Sequence, residues 1–262
     1  MRLPPMQGKV LIVTASSGIA AATARLAAEA GARLVIATSD PDSGWELAAA
    51  TGAECWVGEL SLANSADSIL GVCLSRFGRV DALFNAAGLS GRRFGDGPVH
   101  QCSDEGWDVT LQQNLKVTFQ MSRAAIGRML QQEPQADGIR GAILNMGSVL
   151  AEAPEPRHFD THAYAAAKGA VVAMSRSMAA YYAPHKIRVN AIAPGLVRTP
   201  ASERSQANAE LLDFLTKKQP LAAGMVDAED VARAALFLLG TDSRAITGDV
   251  ITVDAGWSVT GV

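Results

Sequence analysis

The alternation of short apolar runs with alanine-rich stretches constrains this chain more than any other feature. Lys9–Thr14 (KVLIVT) is a β-branched run ending in small residues, and an alanine-rich stretch of helical composition follows from Gly18 to Ala30, with Gly31 as its stop. The next run, Arg33–Thr38 (RLVIAT), begins within the connection length of a parallel crossover, so a first βαβ unit is complete by residue 38. The same rhythm predicts strands at Glu54–Val57, Val80–Phe84, Ala142–Met146, Ile187–Ala193 and Val250–Val253, with helices between them. These runs are near-continuous in Val, Ile, Leu and Ala instead of alternating, as expected of strands covered by helices on both faces. The expected fold is an α/β, single-domain, Rossmann-type doubly wound parallel sheet over residues 1–262.

Composition narrows the function classes. The 48% of hydrophobic residues can supply the large core that such a sheet needs. A formal net charge of -3, with 19% charged residues and no long like-charged run, offers no basic field for nucleic acid and no polybasic patch for a membrane. A small-molecule partner is expected. Cys55, Cys73 and Cys102 lie far apart with no CxxC spacing, which argues against a disulfide framework and a thiolate metal site and fits a reducing compartment. The opening MRLPPMQGKV passes through two prolines into a run too short for a signal segment or a membrane span, so a cytoplasmic location is expected.

Parallel sheets of this kind bind ligands at the carboxyl ends of their strands. After the first strand comes Thr14-Ala15-Ser16-Ser17-Gly18-Ile19-Ala20, a small-residue turn entering a helix, which can present N–H groups to a pyrophosphate. With one glycine it reads equally well as an ordinary turn. At the end of the second strand stand Thr38, Ser39 and Asp40; with no arginine nearby and an acid that would repel a 2′-phosphate, NAD is favoured slightly over NADP. Tyr164 and Lys168 are four apart on a predicted helix from Thr161 to Ala183, and so share one face. A phenol becomes a useful acid/base when a cation lies one turn away, although such a pair is more often plain surface. Ser148 follows the predicted strand GAILNM, where its hydroxyl can meet a substrate oxygen shared with Tyr164.

The order of these elements, together with Asn85-Ala86-Ala87-Gly88, Asn114-Leu115, Met146-Gly147-Ser148, Tyr164-Ala-Ala-Ala-Lys168, Asn190-Ala-Ile-Ala-Pro194-Gly195 and Ile246-Thr247-Gly248, resembles the short-chain dehydrogenase/reductase family along essentially the whole chain. The resemblance implies Tyr164 as general acid/base, Ser148 positioning the substrate oxygen, Lys168 lowering the tyrosine pKa and binding the ribose, and Asn114 holding a proton-relay water. It places Thr14, Ser16, Ser17, Gly18, Ile19, Thr38, Ser39, Glu59, Leu60, Asn85 and Ala86 on the adenosine and pyrophosphate side. Pro194, Gly195, Val197 and Thr199 fall beside the nicotinamide. The family's glycine loop reads Thr-Gly, three residues, Gly, any residue, Gly; here it is one residue shorter, with Ala15 and Ala20 at the outer glycine positions. Glu59-Leu60 stands where the family has an aspartate and a small apolar residue.

The implied activity is an NAD- or NADP-dependent interconversion of a secondary alcohol and a ketone. Two alternatives stand beside it: a protein of this fold with impaired cofactor binding, acting as a binding protein or in non-redox acid/base chemistry, and a 3-oxoacyl thioester reductase. Turn-rich stretches at Gly88–Pro98 and Ala151–Thr161 are candidates for substrate contact, the second a few residues longer than the family's gap. Arg92, Arg93, Arg157, His158 and Arg204 on or near these loops carry the hypothesis of an anionic substrate, alongside a distant similarity of Thr199–Arg204 to 3-hydroxybutyrate dehydrogenases. Spacing alone would allow His158 and His162 to form a metal pair, but Pro154 and Pro156 just before them disfavour a helix there, and that and the missing third ligand argue for no metal. Helices around Asp104–Gln131 and Thr161–Ala183 carry apolar residues on more than one face, and the resemblance implies a homotetramer or homodimer.

Overall fold

The computed structural model describes residues 6–261, so the Met1–Pro5 stretch on which part of the N-terminal reading rests lies outside the described residues. The strands are β1 Val10–Thr14, β2 Arg33–Thr38, β3 Glu54–Val57, β4 Ala82–Asn85, β5 Gly141–Met146, β6 Ile187–Pro194, β7 Val197–Arg198, β8 Val226–Asp227 and β9 Val250–Val253. The helices are α1 Gly18–Glu29, α2 Pro41–Thr51, α3 Ser65–Phe77, α4 Asp104–Leu111, α5 Val117–Met129, α6 His162–Tyr182, α7 Glu203–Gln206, α8 Ala209–Lys218 and α9 Ala228–Leu239. The fourth strand starts later than its apolar run suggests: Val80 and Asp81 precede it, and the Asp81 carboxylate accepts from the Val10 N–H at 2.9 Å.

Seven strands form one parallel sheet in the order β3-β2-β1-β4-β5-β6-β9, and β7 pairs with β8 beside it. The order reverses between β1 and β4, which opens a crevice at their carboxyl ends. Period-2 alternation sends successive residues to opposite faces. Leu11, Val13, Leu34, Ile36 and Phe84 pack under Ala24 and Ala27 of α1 and Ala232, Ala235 and Leu236 of α9. On the other face Val10, Ile12, Val35, Leu83 and Ile143 meet Ile69 and Cys73 of α3, and Met121, Ala125 and Met129 of α5. Each fully buried Leu, Ile or Val contributes about 1.5–3 kcal/mol. Alanines on facing positions let α1 and α9 approach closely.

The long apolar stretch from Asp104 is interrupted by a π-helical turn at Gln112–Lys116 between α4 and α5. A wide turn of this kind re-aims one side chain, here Asn114. Among the described residues no helix is long and apolar enough to cross a membrane.

Candidate active site

Lys168 is 2% exposed on the face of α6 that packs against the sheet. Its Nζ donates to the Met146 carbonyl at 2.9 Å, at the end of β5, and sits 5.5 Å from the centre of the Tyr164 ring. Burial pushes this ammonium down to about 8. Asn114 is fully buried; its Nδ2 donates to the carbonyls of Leu89 and Thr110, both at 2.8 Å. Its Oδ1 is left without a partner among the described residues. Gly88 runs across this group: a Cβ there would lie 2.4 Å from Asn114 Oδ1 and 3.3 Å from Lys168 Nζ, so only glycine leaves the cradle open.

Tyr164 lies in the first turn of α6, partly buried. Burial pushes its phenol above the ordinary range, while a hydrogen bond with Ser148 pulls the other way. The net displacement is upward, opposite to the lowering that the resemblance implies, because the phenol is shielded from water. Ser148 is 8% exposed just after β5, and its Oγ accepts from the Leu150 N–H at 3.2 Å. The group thus combines a protonated phenol, a hydroxyl beside it and a buried ammonium, which is equipment for giving a proton to, or taking one from, an oxygen.

The nucleotide side is built from backbone. Thr14 Oγ1 accepts from the N–H groups of Ala86 (2.9 Å) and Ala87 (3.0 Å), tying β1 to β4 at the crevice. Ala15 takes φ +87°, a conformation suited to glycine, so the loop keeps its glycine-like path with a side chain that resists it. Gly18 opens α1 at φ +54°, and a Cβ there would come within 2.8 Å of Thr199 Cγ2. Ser17 supplies no side-chain cap, so the first N–H groups of α1, among them those of Gly18 and Ile19, face the crevice. Ala20 is buried, and its methyl is accommodated in the contact between α1 and the core.

Ser16 is hydrogen-bonded to Thr38 Oγ1 (2.8 Å) and Ser43 Oγ (2.7 Å), and exposed Ser39 follows at the strand end. Asp40 turns inward on its own helix, accepting from the N–H of Asp42 and from Ser43 Oγ at 2.6 Å. Its carboxyl is held below the usual range chiefly by that Ser43 hydroxyl. Glu59 accepts from the Ser61 N–H and Gln113 Nε2, both at 3.1 Å, and these bonds outweigh a burial that pushes its carboxyl up. Leu60 is buried in the core. Asn85 is committed inward as well, donating to Ser122 Oγ at 3.0 Å and Asn145 Oδ1 at 2.8 Å, so its side chain braces β4 against β5.

Pro194 ends β6 and Val197 pairs with Val226. Gly195 is hemmed in by Gln219 Oε1, 2.3 Å from where a Cβ would stand. Sequence reasoning missed Gln219, which is fully buried and clasps Leu196 by accepting from its N–H at 2.6 Å and donating to its carbonyl at 3.1 Å. A lone glutamine at the end of a surface helix gives no signal of this. The Thr199 N–H donates to Ser202 Oγ at 3.0 Å, which fixes the segment facing Gly18.

The loop residues are largely engaged with each other. Arg92 pairs with Asp160 at 2.7 Å and donates to the His158 carbonyl at 2.9 Å. Arg157 pairs with Glu210 of α8, and Arg93 lies over the Phe94 ring at 4.7 Å. No such partner holds Arg204 among the described residues. The stretch between Ser148 and Tyr164 leans on α8 and the C-terminal segment: Phe159 packs on Trp257, whose Nε1 donates to the Ala153 carbonyl at 3.0 Å. His158 stacks near Phe214 at 5.0 Å, whereas His162 Nδ1 accepts from the Val99 N–H at 3.0 Å. The two histidines serve different contacts, and no cluster of metal-binding side chains occurs among the described residues.

Known proteins resemble the chain along nearly its whole length. Residues 13–258 match a family model described as enoyl-(acyl carrier protein) reductase. The chain is 31% identical over 257 residues to a 2,5-dichloro-2,5-cyclohexadiene-1,4-diol dehydrogenase of Sphingobium indicum, covering 97% of this chain and 98% of that one. It is 34% identical to a (5R,7aS)-5-hydroxy-7a-methyl-1-oxo-2,3,5,6,7,7a-hexahydro-1H-indene-carboxyl-CoA reductase of Mycobacterium tuberculosis, covering 95% of this chain and 92% of that one. The crystal structure of gox2181 superposes with a TM-score of 0.88 at 28% identity, covering 97% of each chain. Fold, site and relatives together make the chain a member of the short-chain dehydrogenase/reductase family, an NAD(P)-dependent oxidoreductase acting on a CH–OH group of a small molecule.

Proposed function

We propose that the chain interconverts an uncharged, ring-containing secondary alcohol and its ketone, with Tyr164 moving the hydroxyl proton. The observation that carries this reading is the convergence of Lys168 Nζ and the unpaired Asn114 Oδ1 on the open cradle at Gly88, one helical turn from the Tyr164 phenol. The residues present suit a nicotinamide dinucleotide: the uncapped start of α1 for pyrophosphate, the cradle at Gly88 for a ribose, and the small residues at Pro194–Gly195 for the nicotinamide. When bound, the dinucleotide takes or gives the hydride. Ser148 and Tyr164 hold the substrate oxygen. The protonated phenol favoured by burial is the form that donates to a carbonyl, and Lys168 and Asn114 supply the charge and the acceptor through which that proton is replaced.

NAD is the preferred form in this reading. The exposed Asp40 carboxylate stands at the end of β2 and no arginine of this end reaches it, so a 2′-phosphate would meet a negative charge. The pairing of Arg92 and Arg157 with acids favours a substrate without charge, Arg93 and Arg204 having no acid partner among the described residues, and a ring suits the partly buried Leu150, Phe159, Leu196, Leu212 and Phe214 packed around the cluster that holds Val149, next to Ser148. Both relatives named above act on ring compounds by name. A dimer or tetramer through the face bearing exposed Trp107 and Phe119 suits the same reading, with a larger mass by light scattering as its check.

The test measures NADH formation or loss with a panel of cyclic secondary alcohols and ketones, and titrates NAD and NADP calorimetrically. Tyr164→Phe is expected to lower kcat at least ~100-fold with NAD affinity unchanged. Full activity in that variant removes Tyr164 from the chemistry, and activity confined to acidic or acyl-thioester substrates removes the uncharged ring.

A further inference from the structure

We infer that Asp96 is a positioning residue for Tyr164: it caps the catalytic helix from outside and holds the phenol against Ser148. The inference rests on the acid/base reading of Tyr164 given above.

A helix begins with N–H groups that its own backbone cannot satisfy. In α6 the residue before the helix, Thr161, makes no side-chain cap. Its carbonyl accepts from the Ala165 N–H at 3.1 Å. The earlier donors are met by the loop after β4. The His162 N–H donates to the Gly97 carbonyl at 3.2 Å, the Ala163 N–H to Asp96 Oδ1 at 2.9 Å, and the Tyr164 N–H to Asp96 Oδ2 at 3.0 Å. Both carboxylate oxygens are thus spent on consecutive amides, one of them the amide of the reacting residue. Asp96 is 6% exposed, so water cannot replace these bonds cheaply. Its charge also lies at the positive end of a 21-residue helix.

The loop is shaped for this task. Gly91 (φ +73°) and Gly95 (φ +100°) take conformations that other residues resist. A Cβ on Gly91 would lie 2.9 Å from Asp96 Cβ, and one on Gly106 would lie 2.5 Å from the Asp96 N–H nitrogen, so α4 rests directly on the backbone beside the carboxylate. Through α4 the same loop reaches Asn114, whose amide donates to Thr110 and Leu89. One buried acid therefore sets the register between the helix carrying Tyr164 and the segment carrying Asn114. Nothing in the spacing of Asp96 from Tyr164, 68 residues apart, announces this.

The test uses the full-length protein with Asp96→Ala and Asp96→Asn. Deuterium uptake by the peptide covering residues 161–168 is expected to quicken at least ~10-fold in Asp96→Ala, with an intermediate effect in Asp96→Asn, which keeps one acceptor. Tyr164 is then titrated by absorbance at 295 nm in a Tyr181→Phe, Tyr182→Phe background, where it is the one remaining tyrosine. Uncapping is expected to move its titration down toward that of a solvated phenol. With NADH and the best cyclic ketone of the panel, kcat is expected to fall about 10- to 100-fold while the KM for NADH stays within about two-fold. Unchanged uptake and an unchanged Tyr164 titration in both variants would overturn the inference, whatever the activity. An active Tyr164→Phe enzyme alongside altered uptake and titration would instead discard the acid/base reading and leave the cap standing.

Discussion

The cleft has two sides that reach their geometry by different means. On the side of β5 and α6, buried polar side chains hold backbone groups of distant segments: Lys168 the Met146 carbonyl, Asn114 the Leu89 and Thr110 carbonyls, Asp96 the Ala163 and Tyr164 N–H groups. On the side of β1, the loop from Thr14 to Ala20 relies on backbone path, with Ala15 at φ +87° and an uncapped helix start at Ser17. A buried network tolerates little change, because each group left unpaired costs about 1–3 kcal/mol. A backbone-built loop yields more easily; a residue in an unfavourable φ/ψ region costs about 1–3 kcal/mol and can be carried by the rest of the fold. The residue types that the resemblance assigns to proton transfer stand on the first side, where the departure is a longer loop before Tyr164, whereas on the second side Ala15 and Ala20 replace glycines of the loop itself.

Three substitutions sharpen or break this contrast. Lys168→Met has the largest expected effect, lowering kcat by about 100-fold or more. The same variant is expected to be the more heat-stable protein at neutral pH. Burial lowers the folded-state pKa of Lys168 from 10.5 to about 8, so below pH 8 the folded chain carries a charge it disfavours. That cost, up to about 3 kcal/mol, is relieved as pH rises from about 8 toward the unfolded value, where the unfolded chain binds more protons. The lost bond to Met146 offsets about 1 kcal/mol of the gain. Thermal melts from pH 6 to 10 check the sign: the gap between variant and parent should be widest below pH 8. A variant less stable at every pH would mean that the lysine is a structural strut and not a strained functional group.

Gly18→Ala comes next. Its methyl would meet Thr199 Cγ2 at 2.8 Å at a φ of +54°, which should cost about 1–3 kcal/mol and weaken NAD binding several-fold. Calorimetric titration with NAD reads the second effect, and unchanged affinity would move the pyrophosphate away from this loop. Ala15→Gly has the smallest expected effect. Relieving the strain at φ +87° against the added freedom of the unfolded chain should stabilise by up to about 1 kcal/mol, about 2–4 °C in Tm, with NAD affinity changed less than about two-fold. A large gain in affinity would instead mark Ala15 as a brake on the cofactor.

Much of this was legible beforehand. The runs KVLIVT and RLVIAT became β1 and β2 as adjacent parallel strands, and Glu54–Val57 and Val250–Val253 appear at the expected residues. The helix carrying Tyr164 and Lys168 differs by one residue at each end. The arginines were harder to read, since Arg92 and Arg157 meet Asp160 and Glu210 only through folding. Asn85 turned out to brace two strands from within, although a resemblance placed it toward the adenosine.

The sequence by itself determined the order of strands and helices and the face that Tyr164 and Lys168 share, because period-2 and period-3.6 patterns are local and need no partner. Tertiary structure alone decided who satisfies whom: that Asp96 caps a helix 68 residues away, that Gln219 clasps Leu196, and that burial displaces the Tyr164 phenol upward. Those outcomes depend on desolvation and on hydrogen-bond partners brought together from distant segments, and neither quantity exists until the chain has closed around them.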